Sequence, residues 1–300
     1  MGAQKFTVED FKSSNETCSA WLYKPAKNQF AKTAVIMAHG FSAEKTWNLP
    51  VFAEHFQSRG LATYLFDYRT CGESSGSPRN FLSPSAQVKD YEAAIKHCQE
   101  NLGIERFILW GVSFSGGHVI NVAANQSAKI LAVCALVPHL SPLPAISKLG
   151  VSRLAGVGAL ALFAELKYRL LNEEFEIPIT APPGKPGFLT FPGWHKEITR
   201  YVKENPNFWE NRMPVRLLLE MLSYAPILNA SSVDCPVQFV YGVHDNGIDP
   251  GSIRSAAAKI KESETVSLTI NHFEGLNRFY RDRIAALQMD FIERRVLRTS

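Results

Sequence analysis

The stretch LWGVSFSGGH (109–118) ends an apolar run and sets two serines, Ser113 and Ser115, among glycines. A serine hydroxyl is a poor nucleophile unless a base takes its proton and the backbone holds it clear of its neighbours. A sharp strand-to-helix turn does the second job. Its crowding demands small residues two before and two after the nucleophile, which is the physical content of G-x-S-x-G. Gly111-Val112-Ser113-Phe114-Ser115 meets that demand, and Ser113-Phe114-Ser115-Gly116-Gly117 meets it one step later. The strand signal FILW ends at Trp110, so Gly111 is the last small residue before the turn and Ser113 falls at its apex. Ser115 would then open the following helix as a capping hydroxyl.

An activated serine needs a base, and the base needs an acid to orient it. In strand-end arrangements these follow in the order Ser, Asp/Glu, His. Asp245 comes shortly after the apolar run VQFVYG (237–242), and Asp249 lies further on, directly before Pro250. His272 follows VSLTI (266–270) and precedes the last helical stretch. Taken alone, Asp245 is a turn former and His272 a loop residue. Their joint order and placement point to Asp245 as the acid, with Asp249 the fallback, and to His272 as the base. A tetrahedral intermediate also needs two donors aimed at its oxyanion, commonly worth about 3 kcal/mol each. The backbone N–H groups of Phe41, just after TAVIMAHG (33–40), and of Phe114 are placed to supply them. His39 precedes the serine in the chain and reads as a structural hydrogen-bonding residue.

The elements that must position these residues alternate. TAVIMAHG, ATYLFDYR (62–69), RFILWGVS (106–113), LAVCALVP (131–138), VQFVYGVHD (237–245) and VSLTI read as strands. Helical stretches lie at 49–60, 85–103, after Ser115, and at 276–296. Nearly continuous apolar strands imply burial on both faces, as in a parallel sheet covered by helices. TCSAWLYKP (17–25) reads as an antiparallel lead-in strand. Between 141 and 233 the rhythm breaks: helices at 145–175, interrupted by glycines, and at 214–225 flank the Pro/Gly/aromatic stretch APPGKPGFLTFPGW (181–194). The expectation is one domain, with residues 1–140 and 234–300 forming the core and 141–233 inserted as a helical lid. GVGALALFAELKYRLL (156–171) and FLTFPGW (188–194) offer surface for a medium or long acyl group or a polyketide, or else pack the lid onto the core.

The 300 residues are 46 % hydrophobic and 20 % charged, with a net charge of +4 spread evenly. No basic run suits nucleic acid or a polybasic membrane patch. No apolar stretch spans a bilayer core of about 30 Å, so stable membrane insertion is not expected. The N-terminus has no apolar signal region, and Phe6 stands where myristoylation wants Ser or Thr. Five widely spaced cysteines without a CxxC suggest a reducing, cytoplasmic setting and no zinc site. No G-x-x-x-x-G-K-[ST] loop is present, and neither metal nor organic cofactor is implied.

AHGF (38–41), FDYRTCGESSGSPR (66–79), GVSFSGGH (111–118), YGVHD (241–245) and NHFEG (271–275) together resemble the α/β-hydrolase fold superfamily, over about residues 17 to 297. Within it, D-Y-R-x-x-G-x-S-x-G-x-P-R with G-x-S-F-S-G-G-H is similar to dienelactone-hydrolase-like proteins. The long insert with PPGKPGF looks like that of fungal polyketide transferases and thiohydrolases, which move or release acyl chains held as thioesters on a carrier protein. Thr70 and Ser115 stand where those families often have Gly. The resemblance implies an α/β-hydrolase fold with Ser113 as nucleophile, Asp245 as acid and His272 as base. It implies a small-molecule or carrier-protein-bound acyl substrate, ester or thioester, and is compatible with a homodimer. A serine peptidase or amidase, or a non-hydrolytic relative such as a C–C lyase or cyclase, are the rival readings.

Overall fold

The computed structural model describes residues 5–27, 29–149, 151–205 and 208–297. Eight strands make one sheet: Thr7–Val8 (β1), Ala20–Tyr23 (β2), Thr33–Ala38 (β3), Ala62–Phe66 (β4), Arg106–Val112 (β5), Lys129–Leu136 (β6), Val237–Gly242 (β7) and Ser263–Leu268 (β8). Their spatial order is β1-β2-β4-β3-β5-β6-β7-β8. The pairings of β1 with β2 and of β2 with β4 are antiparallel, and all others are parallel. The helices are Leu49–Ser58 (α1), Pro84–Leu102 (α2), Phe114–Asn125 (α3), Leu143–Leu149 (α4), Val151–Leu171 (α5), Trp194–Glu204 (α6), Leu218–Ser223 (α7), Pro250–Ala257 (α8) and Arg281–Ile292 (α9).

Side chains that alternate along a strand explain the unbroken apolar runs, because both sheet faces are covered. Val35 and Met37 of β3 and Ile108 and Trp110 of β5 pack with Phe52 and Phe56 of α1 and Ile284 and Met289 of α9. Ala34, Ile36, Phe107 and Leu109 point the other way, toward Tyr91 and Ile95 of α2, Val119 of α3 and Ile253 of α8. Strand β4 lies on one side of β3 and β5 on the other. The loops leaving β3 and β5 therefore diverge at their C-terminal ends and open a crevice.

The elements differ from expectation in instructive ways. The 17–25 strand is two pieces: Glu16–Cys18 pairs with Phe11–Ser13 in a hairpin, and β2 starts at Ala20. Strand β8 begins three residues before VSLTI, because an edge strand needs no apolar run; its residues alternate between exposed and half-buried. Helix α9 begins at Arg281, since the Asn277 side chain accepts from the Phe279 and Tyr280 amides and closes a turn first. Helix α5 passes unbroken through Gly156 and Gly158, where an added Cβ would meet nothing within 4 Å. Residue 150, between Leu149 and Val151, lies outside the described residues. The stretch 214–225 is helical over Val215–Leu217 (3-10) and α7.

Candidate active site

Ser113 sits between β5 and α3 with φ 57° and ψ −115°, a left-handed conformation that non-glycine residues avoid. The turn is fixed on all sides. The Ser113 N–H donates to Leu136 O at 2.8 Å, and its carbonyl accepts from the Gly116 and His139 amides. Where small residues are required can be read from the packing. A Cβ on Gly111 would stand 2.2 Å from Ser115 O, one on Gly116 2.6 Å from Pro138 Cβ, and one on Gly117 2.3 Å from His139 O. Position 115 tolerates a side chain. Ser115 does not cap α3 as expected: its buried hydroxyl bonds the His39 carbonyl and the Tyr68 hydroxyl instead.

The Ser113 Oγ–H donates to His272 Nε2 at 3.0 Å, and His272 Nδ1–H donates to Asp245 Oδ2 at 2.6 Å. The other Asp245 oxygen accepts from the Gly247 and Ile248 amides at 2.9 and 3.0 Å, which sets its angle. Backbone pairing past the strand ends brings the two loops together, with the Val243 N–H on Leu268 O and the His244 N–H on Ile270 O. Asp249 is elsewhere: it is the N-cap of α8 and accepts from the Ser252 amide and hydroxyl, both at 2.7 Å. The structure thus joins Ser113, His272 and Asp245 and leaves Asp249 out.

The loop after β3 approaches this trio closely, since a Cβ on Gly40 would lie 3.0 Å from Ser113 Cβ. Neither the Phe41 nor the Phe114 amide has a protein acceptor among the described residues. Their rings meet edge to face at 5.3 Å. His39 is buried, donates from Nδ1 to Gly40 O at 2.9 Å, and is held below its usual pKa by burial.

Ser113 and His272 open onto a cavity of about 650 Å³, open solvent at its mouth included. From the segment between β6 and β7 come Ile179, Leu189, Trp194, Ile198, Tyr201 and Trp209, and from the loop after β3 come Phe41, Glu44 and Trp47. Among the described residues, helix α5 contributes none of the lining. It packs Ala161 and Ala164 inward and exposes Leu162, Phe163 and Leu170, while the Arg216 guanidinium lies 4.0 Å over its Tyr168 ring. Of the two apolar stretches, only 188–194 reaches the site. The 183–187 turn is closed by Lys185 N–H to Pro182 O and flanked by Leu189 N–H to Ile179 O.

Trp194 was not singled out by sequence spacing. Its indole stacks on the His272 ring at 4.4 Å and 19°, and its Nε1–H donates to Asn246 Oδ1 at 2.7 Å. Glu44 and Trp209 were missed too; the Trp209 indole N–H donates to Ser42 O at 2.7 Å and so ties the segment to the β3 loop. The signal for Trp194 lay in its period with Ile198 and Tyr201, one face of an amphipathic helix. All five cysteines are buried and unpaired. Among the described residues, no cluster of three His, Cys, Asp or Glu could hold a metal ion, and no helix is long and apolar enough to cross a membrane.

A mostly parallel eight-stranded sheet with these loops at its C-terminal edge is an α/β-hydrolase fold. Residues 29–275 match the family described as serine aminopeptidase S33, and the chain belongs to that family. It is 29 % identical over 288 residues to the quorum-quenching protein AidA of Acinetobacter baumannii, covering 95 % of this chain and 93 % of that one. It is 42 % identical over 108 residues to the thiohydrolase aneE of Aspergillus aculeatus, covering 35 % and 34 %. The α/β-hydrolase GrgF from Penicillium sp. sh18 shares the fold with a TM-score of 0.81 at 21 % identity, over 98 % of this chain and all of that one. Its relatives include hydrolases and acyltransferases, which makes it an enzyme of the α/β-hydrolase type.

Proposed function

We propose that this protein is a serine-dependent hydrolase or acyltransferase acting through an acyl-enzyme on an ester or thioester of a hydrophobic acyl or polyketide chain. The observation that carries the reading is the hydrogen-bonded chain Asp245–His272–Ser113 ending at the wall of a largely apolar cavity. Asp245 holds the tautomer that leaves Nε2 free to accept. His272 takes the Ser113 proton as Oγ attacks the carbonyl carbon, and the Phe41 and Phe114 amides receive the charge that develops on oxygen. Collapse breaks the acyl–sulfur or acyl–oxygen bond, and the leaving group takes the proton from His272. Water or an acceptor hydroxyl, deprotonated in turn by His272, releases the acyl group. The segment 141–233 acts as the lid, since six of its residues wall the cavity. The acyl chain arrives free or on a carrier protein.

The thiohydrolase aneE favours a thioester, whereas the family description favours an amide bond. The test is labelling with a fluorophosphonate and location of the adduct by peptide mass spectrometry, followed by rates on an acyl thioester, the matching ester and an aminoacyl anilide. The expected outcome is labelling at Ser113, retained in Ser115→Ala and lost in Ser113→Ala, with the thioester or ester turned over faster than the anilide. Labelling at Ser115 moves the nucleophile to that residue, none in folded protein overturns the acyl-enzyme reading, and a faster anilide turns the enzyme into a peptidase.

A further inference from the structure

Among the described residues, Glu44 is the one carboxyl side chain in the cavity wall, and the cavity is otherwise lined mainly by aliphatic and aromatic groups such as Phe41, Ile179, Leu189 and Ile198. The residue is only 2 % exposed. One of its oxygens accepts from the Phe208 amide at 3.0 Å. The other has no protein partner among the described residues. A carboxyl group buried this way is costly unless something pairs with it.

The nearby cations are committed elsewhere. Lys45, next in the chain, turns its Nζ to Asp67 Oδ2 at 2.7 Å and to Glu73 at 2.5 Å. Arg79 donates to the carbonyls of Gly72 and Ser74. Burial, with the Asp67 charge second, pushes the Glu44 carboxyl up to about 7, so near neutrality it is present both as acid and as carboxylate. A group that can both donate and accept satisfies either form. A hydroxyl does so, whereas a ketone can only accept and an ammonium can only donate.

Resting on the acyl-transfer reading above, we propose that Glu44 recognises a hydroxyl group carried on the acyl chain of the substrate, and so selects oxygenated chains over plain alkyl ones. The bland role, tying the lid to the core through the Phe208 amide, would change the handling of every substrate alike. Selectivity between chains of equal length therefore separates the two.

The experiment measures dissociation constants on the Ser113→Ala protein, where thioesters stay intact, by quenching of the cavity tryptophans. The ligands are the N-acetylcysteamine thioesters of decanoate, of its 3-, 5-, 7- and 9-hydroxy derivatives and of the matching amino derivatives. One hydroxy isomer is expected to bind about tenfold more tightly than decanoyl, the scale of a hydrogen bond to an ionisable group. Adding Glu44→Met should bring that ratio to within about twofold, while Glu44→Gln, which keeps an acceptor for Phe208, should retain most of it. The proposal is overturned if no hydroxy isomer is preferred, if Glu44→Met weakens all ligands in parallel, or if an amino isomer outbinds its hydroxy counterpart. Turnover of the same thioesters by the Ser113 enzyme is a separate readout: selective binding without turnover would fail the acyl-enzyme reading and leave the Glu44 contact standing.

Discussion

The Trp194 indole lies face to face with the His272 imidazole, 4.4 Å away at 19°, and the segment between β6 and β7 thereby rests on the proposed general base. The contact depends on a glycine: a Cβ on Gly247 would fall 2.0 Å from Trp194 Cζ2. Asn246 closes the arrangement, accepting from the indole N–H and donating to Pro192 O at 3.1 Å. Stacking of this kind is worth about 0.5–1.5 kcal/mol, so Trp194→Leu should lower kcat/KM by up to about tenfold. Gly247→Ala should do the same by pushing the indole aside, Trp194→Phe should keep most of the activity, and the Leu/Ala double variant should be no worse than the poorer single one. Fluorophosphonate labelling rates measure the effect on the serine directly. A Trp194→Leu protein that labels at the parent rate would remove the indole from the site's function.

Asp245 and Asp249 are separated by the same kind of comparison. Asp245→Asn preserves shape but cannot hold the productive His272 tautomer, and turnover should fall by about 10³–10⁴. Asp249 caps α8 through Ser252. Asp249→Ala should cost about 1 kcal/mol of stability, visible in the urea midpoint, and leave the per-molecule rate intact. Reversed effects would show the acid to be Asp249 and the observed hydrogen bonds to be incidental.

Candidate-site residues whose place is set locally were legible in the sequence. Ser113, Asp245 and His272 each follow a strand end, and strand ends announce themselves through the apolar run before them. Trp194 and Glu44 owe their place to packing between distant segments, and nothing in their neighbours encodes it. The Pro/Gly-rich stretch before α6 also hides the Trp194, Ile198, Tyr201 period. The apolar richness of α5 left two readings open, because hydrophobicity shows that a face is apolar, not which surface it meets. Edge strand β8 was half read because only its second half carries the apolar residues that identify central strands.

Ser115 stands where the G-x-S-x-G turn has glycine, and it has its own energetic signature. Its hydroxyl donates to the His39 carbonyl and accepts from Tyr68, all of them buried. Ser115→Ala should destabilise the protein by about 1–3 kcal/mol by leaving the Tyr68 hydroxyl without that partner. Adding Tyr68→Phe removes the orphan, so the double variant should be more stable than the sum of the two singles predicts. Urea unfolding measures all three, and strict additivity would mean that the two hydroxyls do not depend on each other.

Acid should unfold this protein through a buried histidine, His118, and a half-buried one, His139. Burial, with the neighbouring His139 second, lowers His118 to about 3, and burial, with His272 second, lowers His139 to about 4. His118 is held neutral between Gln87 Oε1 at 2.9 Å and the Tyr224 hydroxyl. In the unfolded chain both titrate near 6.5. Below that pH the unfolded state binds more protons, so the stability that these groups lend is complete above about 6.5 and is lost as pH falls toward 4 and 3. Glu44, raised to about 7, acts in the opposite sense, its contribution fading as pH rises from about 4.5 to 7. Among these groups the histidines outweigh the carboxyl, and His39, also held low by burial, adds to the net loss in acid. His118→Gln should shrink the fall in urea midpoint between pH 7 and pH 4.5 by the equivalent of about 2 kcal/mol. An unchanged fall would place the acid sensitivity in the carboxylates instead.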